Sequence, residues 1–347
     1  MKKLLFRLAI VIAVMAIGFY YINKNFGTIE NTVNVTSSQS IVYILLALVF
    51  SILSFYFFTL MQRKVFAITG LTRSMTEMFS LRTQALAMSV LVPIIGVSGG
   101  IVYAVDAREH GDSETAAVAG FIISLLVEYI AIVGFLIIAM GYLLSIDSLT
   151  PQIYIPAILL TALGFGLFLL LYLAGKQKNF LKKILAWGKA LVNKIVYVFK
   201  KKTLFTDETK IGLLVTELEN AYLYIQGDKK HFRSALGSVF VADIMSLVAI
   251  YILFLSFGIH PLYRELVSGY AIGAMAVVIS PTPNGVGFAE GFMSLAYASM
   301  GIPAAIATAV SLIFRGMGFW LPFGIGMIML QRKHLMGLVD KVKAKNF

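Results

Sequence analysis

The stretch Ile41–Leu60 contains no charged residue, and Ala116–Leu144 contains only one, Glu128. Each is long enough to cross the ~30 Å hydrocarbon core of a bilayer as a helix, which takes roughly 20 residues. In lipid every backbone N–H and C=O must find its partner inside the protein, so only helices or closed barrels can span it. These runs are continuously apolar and lack the alternation of barrel strands. Composition agrees: 59% of the 347 residues are hydrophobic and 13% charged, too few polar groups to clothe a soluble domain. The sequence therefore predicts an all-α polytopic membrane protein.

About six full spans are expected, near 4–22, 41–60, 115–144, 153–174, 236–258 and 303–330. The first has the look of a signal peptide. It has a long apolar part and no small-residue cleavage site, so a retained helix is expected. Two further apolar stretches, near 85–105 and 266–300, are interrupted by Pro and Gly. If 85–105 crossed fully, the loop GKQKNFLKKILAWGKALVNKIVYVFKKK would face outward, against the retention of Lys and Arg in the cytoplasm. Two re-entrant hairpins, near 85–112 and 266–300 and entering from opposite faces, return this loop and the tail QRKHLMGLVDKVKAKNF to the cytoplasm. Only Lys24 and Arg264 then lie outside, with Arg315 in the membrane and both termini cytoplasmic.

The chain so divides into a membrane half 1–174, a basic amphipathic cytoplasmic linker 175–235, a membrane half 236–330 and a basic tail 331–347. In the linker Phe180, Ile184, Trp187, Leu191, Ile195 and Val198 share one helical face between lysines, the pattern of a helix lying on an anionic leaflet. Residues 206–226 continue as a soluble amphipathic helix closed by Gly227. The net charge of +12 marks cytoplasmic loops rather than a nucleic-acid partner. Cysteine is absent, which excludes disulfides, thiolate nucleophiles and Cys-ligated zinc. The four histidines lie far apart. No catalytic residue, metal or cofactor is expected.

The two halves share an order of features. VPIIGVSGG precedes AAVAGFIISLLVEYIA in the first, and PTPNGVG precedes AAIATAVSLIFRGMG in the second. From the last glycine of each break to a mid-helix charge is 28 positions, Gly100 to Glu128 and Gly287 to Arg315. With breaks entering from opposite faces, this is the pattern of two inverted repeats whose broken helices meet near the midplane at a substrate site.

Charges inside spans cost about 2.5–3.5 kcal/mol each on insertion scales, so they face the bundle interior, pair, or line a wet cavity. Glu128, Asp243 and Arg315 are such charges, and Glu290 lies beside the second break. Glu128 and Arg315 are expected to approach each other or share a headgroup cavity, with Glu290 an alternative partner for Arg315. Free N–H groups at half-helix starts suit an anion. Gly99, Gly100, Gly285 and Gly287 leave backbone open to a ligand, and Ser98, Thr282 and Asn284 add small polar contacts. GVGFAEG follows no strand and is not a dinucleotide loop.

These residues resemble the lysylphosphatidylglycerol synthetase transmembrane-region, or flippase-like, family, which includes the membrane half of the bacterial multiple peptide resistance factor. The late motif carries the likeness: Pro281, Pro283, Asn284 (where Gly is common in the family), Gly285, Gly287 and Glu290, then Pro303, Arg315 and FWLP. The earlier VPIIGVSGGIVYAVDAREHGDS, with Pro93 and Arg108, looks like the family's first break. The resemblance implies movement of a polar-headgroup lipid between the leaflets of a bacterial cytoplasmic membrane, the lipid being aminoacylated, anionic or glycosylated. Arg108 would stand near the cytoplasmic mouth of the cavity. The chain is expected to lack the family's soluble aminoacyl-transferase and not to be an enzyme. Membrane lipids, a separate lipid-modifying enzyme and further copies of the chain are the partners to expect. Rival readings are an intramembrane enzyme acting on headgroups and a non-transporting partner of a cytosolic lipid synthase.

Overall fold

The computed structural model describes residues 38–91, 98–146, 208–280 and 282–330, with isolated positions between 158 and 177. The expected span 4–22, most of 153–174, the lysine-flanked face of the linker and the basic tail lie outside the described residues, as do Pro93 and Pro281. Every regular element among the described residues is helical.

In chain order these are α1 (Ser38–Ile68), α2 (Met75–Leu91), α3 (Ser98–Glu109), α4 (Glu114–Ser145), α5 (Glu208–Gly227), α6 (Lys229–Ser256), α7 (Tyr263–Ile279), α8 (Phe288–Ser299), α9 (Ala304–Arg315) and α10 (Leu321–Leu330). A π-helical turn, Gly316–Trp320, joins the last two. Pro322 has no N–H to offer the preceding turn, which favours such a widening. Four segments are long and apolar enough to cross a membrane: Ile41–Ile68, Glu114–Ser145, Lys229–Ser256 and Ala304–Leu330. They coincide with four of the six spans expected from sequence.

Local chemistry sets the ends of these helices. α1 stops where Gly70 takes φ +82°, and the Leu71 N–H turns back to the Phe66 carbonyl. Ser113 caps α4 by accepting from the Ala116 N–H, and Asp228 caps α6 by accepting from the His231 N–H. α1 buries little of its surface. Its outward row, including Ile41, Leu45 and Ile52, is exposed, as expected of a face that meets lipid.

Two helical hairpins organise the interior. Arg73, just before α2, reaches Asp106 near the end of α3 at 2.8 Å and Asp112 just beyond it at 2.7 Å. The α2–α3 segment therefore returns to the end of the bundle from which it set out. Its first helix starts at Met75, where Ser74 and Glu77 cap a turn that the charged sequence disguises as loop. The second hairpin pairs α7 with α8. The Tyr297 hydroxyl donates to the Leu266 carbonyl at 3.2 Å, and Met293 packs against Gly273.

The bases of the two hairpins lie at opposite ends of the bundle. α4 starts beside the first, where Arg108 pairs with Glu114 at 2.6 Å. It finishes beside the second, with Leu136, Ala139 and Leu143 packed on Ala271, Ile272 and Met275. α9 and α10 run the other way, from Ile306 in the cluster of Tyr297 to Leu330 in the cluster of Met78 and Leu81. Between these ends the tips touch. Asn284 Nδ2 donates to Ser89 Oγ, and Val286 joins Val90 and Phe319 in one buried cluster.

Candidate functional site

A cavity of about 720 Å³ opens where the tips meet, walled by α1–α4, α6–α9, Ser280 and the segment Thr282–Asn284. Its shape follows from the breaks. Asn284 sits in the left-handed region at φ 50°, and Gly285 and Gly287 follow at φ 70° and 83°. Asn tolerates that backbone better than other side-chain-bearing residues. Gly285 needs it more strictly, since a Cβ there would stand 2.7 Å from the Val277 Cα.

The turn delivers its polar groups inward. Arg315 Nε donates to Glu290 Oε1 at 3.0 Å, and Arg315 Nη2 donates to the Asn284 carbonyl, also at 3.0 Å. Its guanidinium lies 4.3 Å from the Phe319 ring centre, a favourable cation–π placement. The other Glu290 oxygen accepts from the Gly287 N–H at 2.8 Å, which caps α8 from inside. The Arg315 and Glu290 side chains are only 13% and 9% exposed, so each depends on the other for charge compensation.

On the opposite wall Glu128 of α4 meets Arg82 of α2 at 3.1 Å. Arg82 lies over Phe58 at 4.9 Å and Phe55 at 5.5 Å. Glu128 and Arg315 thus share the cavity without pairing: Arg315 takes Glu290, and Glu128 takes Arg82. Between these pairs Asp243 of α6 accepts from the Tyr270 hydroxyl of α7 at 2.6 Å. Hydroxyls fill in the polar surface, with Ser54 bonded to Ser246 at 2.8 Å and Tyr103 donating to Gln62 at 3.0 Å.

Of the residues expected at the site, Gly99, Glu128, Asp243, Thr282, Pro283, Asn284 and Arg315 line the cavity. Glu290 and Gly287 support it from behind through their contacts with Arg315 and α8. Gly285 is packed on α7, and Gly100 lies against the Phe121 ring, which a Cβ would approach at 3.0 Å. Ser98 opens α3. Arg108 does not reach the cavity; it is held at the base of the first hairpin by both oxygens of Glu114. Arg82, Ser89, Tyr270 and the α1 serines Ser51 and Ser54 also line the wall, although the sequence did not single them out. The usable signal was Arg82 itself, a charge spaced helically from the apolar Phe79 and Leu86.

Chemically, the wall offers two guanidiniums, each partly committed to a carboxylate, together with hydroxyls and one further carboxyl. An arginine has five donors, and these partners use only some of them, so an anionic group can be accepted without stripping the ion pairs.

Comparison with known proteins agrees with a membrane protein. The model of the family described as "Lysylphosphatidylglycerol synthase TM region" matches residues 5–326. A UPF0104 membrane protein of Pyrococcus horikoshii is 22% identical over 240 residues, covering 66% of this chain and 68% of the relative. One from Methanocaldococcus jannaschii is 28% identical over 145 residues, 40% of this chain and 41% of the relative. One from Methanothermobacter thermautotrophicus is 23% identical over 99 residues, 27% of this chain and 30% of the relative. With the last two, the match spans less than half of the relative's length. These relatives are archaeal, so the similarity supports a membrane protein and does not fix the expected bacterial setting. The match along nearly the whole sequence places this chain in the lysylphosphatidylglycerol synthase TM region family.

Proposed function

We propose that this protein carries a polar-headgroup lipid between membrane leaflets, the headgroup passing through the cavity while the acyl chains stay in lipid. One observation supports this above others: two hairpins from opposite ends of the bundle meet at a cavity holding the Arg82–Glu128 and Arg315–Glu290 pairs. At about 720 Å³, it falls within the range of roughly 300–1,000 Å³ typical of small-molecule sites. The hairpins are read as re-entrant limbs of two inverted repeats, the arrangement that lets one repeat rock against the other around a central site. The base of the first hairpin, α5 and both termini then face the cytoplasm.

On this reading the substrate is an anionic, aminoacylated or glycosylated lipid. The family name points toward phosphatidylglycerol derivatives. The protein works as a carrier rather than a catalyst, with membrane lipids as its partners and a lipid-modifying enzyme as a source of substrate.

The test is the purified full chain in liposomes containing fluorescently labelled phosphatidylglycerol. Faster access of an external quencher to inner-leaflet label than in protein-free vesicles is expected. Label that stays on its own leaflet overturns the proposal, and a change in the label's mass would indicate catalysis instead.

A further inference from the structure

The three acidic side chains at the cavity are not equivalent. Glu128 and Glu290 each hold an arginine. Asp243 is 2% exposed and has no ion-pair partner among the described residues. Its Oδ1 accepts from Tyr270, and its Oδ2 is buried with no hydrogen-bond partner among the described residues. A carboxylate left so in a low-dielectric wall is costly, and the usual relief is to take up a proton.

The surroundings make protonation the natural relief. Asp243 sits on α6, against which α1, α4, α7 and α9 pack, while α5 meets it through the apolar cluster of Ala221 and Ala235. α4 presents Glu128, whose negative charge acts on Asp243 and is balanced by Arg82 of α2. α7 presents the neutral Tyr270, α1 presents the hydroxyls of Ser51 and Ser54, and α9 presents Arg315, committed to Glu290. Both cavity arginines therefore belong to other acids. A tyrosine donor leaves one carboxyl oxygen free to carry hydrogen.

We propose that Asp243, positioned by Tyr270, is a proton-binding site of this cavity, loaded and unloaded as the cavity changes the side from which it is reached. The step is a single proton transfer from hydronium to a carboxylate oxygen: one O–H bond of hydronium breaks, one forms on Asp243, and a water molecule is left. Coupled to the transport proposed above, on which that consequence rests, it ties lipid movement to the proton gradient. One proton per lipid lets a one-unit pH difference bias the leaflet distribution by up to about tenfold.

Two measurements on the purified full chain test the site separately from transport. In pH-difference infrared spectra, a protonated-carboxyl band is expected that disappears in Asp243→Asn and moves its midpoint in Tyr270→Phe. An unchanged band in Asp243→Asn overturns the assignment. If that variant does not fold, an unchanged midpoint in Tyr270→Phe does so. In liposomes with labelled phosphatidylglycerol, an imposed pH difference is expected to bias the label in the native protein and not in Asp243→Asn. Bias that persists in Asp243→Asn, or follows a sodium gradient at constant pH, overturns the coupling. Absence of any leaflet exchange overturns the transport reading and leaves the infrared result to decide the site.

Discussion

The two hairpins solve the same problem, bringing a chain into the bundle and back, by opposite means. The first is tied at its base by charge: Arg73 holds Asp106 and Asp112, and Arg108 holds Glu114. The second is tied along its limbs by packing. Tyr297 fits against Gly269, where a Cβ would come within 2.2 Å of the ring, and Met293 fits against Gly273. Its ion pair is at the tip, between Glu290 and Arg315 of α9, while Glu265 at its base serves as a cap on the Leu262 N–H. Charge at a base is near water and inexpensive. Charge at a tip is desolvated and holds only while its partners are in place. The first hairpin therefore has a solvent-sensitive base, and the second has a tip that stands or falls with one ion pair.

The largest effect should come from breaking that pair. Arg315→Gln leaves Glu290 buried without its cation and frees the Asn284 carbonyl, at an expected cost of about 3 kcal/mol. Arg82→Gln, removing the more exposed Arg82–Glu128 pair, should cost about 1–2 kcal/mol. Thermal unfolding in detergent micelles checks both. An equal loss for the two would erase the distinction between tip and limb. Glu290→Gln combined with Arg315→Gln should regain most of the stability without regaining the lipid exchange proposed above.

Glycine substitutions sharpen the comparison at the next level. Gly111 turns at the base of the first hairpin with φ +74° and open space around its Cβ position, whereas Gly285 turns at the second tip against Val277. Gly111→Ala should cost only the left-handed backbone penalty, about 1–2 kcal/mol. Gly285→Ala should add an overpacking cost of about 1–3 kcal/mol and separate the Asn284 and Ser89 side chains. Melting temperatures that fall equally would mean that the tip relaxes freely.

Much of this arrangement was legible in the sequence because lipid makes exceptions conspicuous. Glu128, Asp243 and Arg315 stand out in apolar runs, and a charge there needs an interior to face. The Pro and Gly clusters marked both breaks for the same reason. Arg82 was not legible. It lies in MTEMFSLRTQALAM among other polar residues, where a charge is unremarkable until the helix is known to start at Met75. The choice of Glu290 over Glu128 for Arg315 depends on how α8 and α9 rotate about their axes. Those rotations are fixed by long-range fits such as Ser294 to Thr308, which periodicity does not encode. The π-helical turn after Arg315 is equally hidden, since Gly and Pro there are compatible with a kink of any kind.

Salt should separate the hairpins more gently. The Arg73 side chain is 8% exposed, but its partners Asp106 and Asp112 are 18% and 35% exposed, so their attraction is partly screened. Arg73→Gln is expected to cost about 1 kcal/mol and to reduce amide-exchange protection at the start of α2 and the end of α3. Raising the ionic strength should reproduce part of that loss in the native protein. Protection in α7 and α8 should be indifferent to both changes. A matching loss there would show that the two hairpins open as one unit.

The smallest expected effect compares one device used twice. Glu77 reaches back to the Ser74 N–H at 2.8 Å at the exposed base of α2, as Glu290 does to the Gly287 N–H at the buried tip. The Ser74 backbone and side-chain hydrogen bonds hold the Glu77 carboxyl below its usual range, aided by the positive charge of Arg73. A carboxyl depressed in the folded state contributes stability above its unfolded pKa of about 4.3 and loses that contribution as the pH falls through the folded value. Amide exchange at the first turn of α2 should therefore quicken as the pH drops below about 4, after correction for intrinsic rates. Glu77→Gln should remove that pH dependence while leaving α8 unchanged. Should the first turn of α2 keep its pH dependence in Glu77→Gln, the cap would not be what governs how the first hairpin opens.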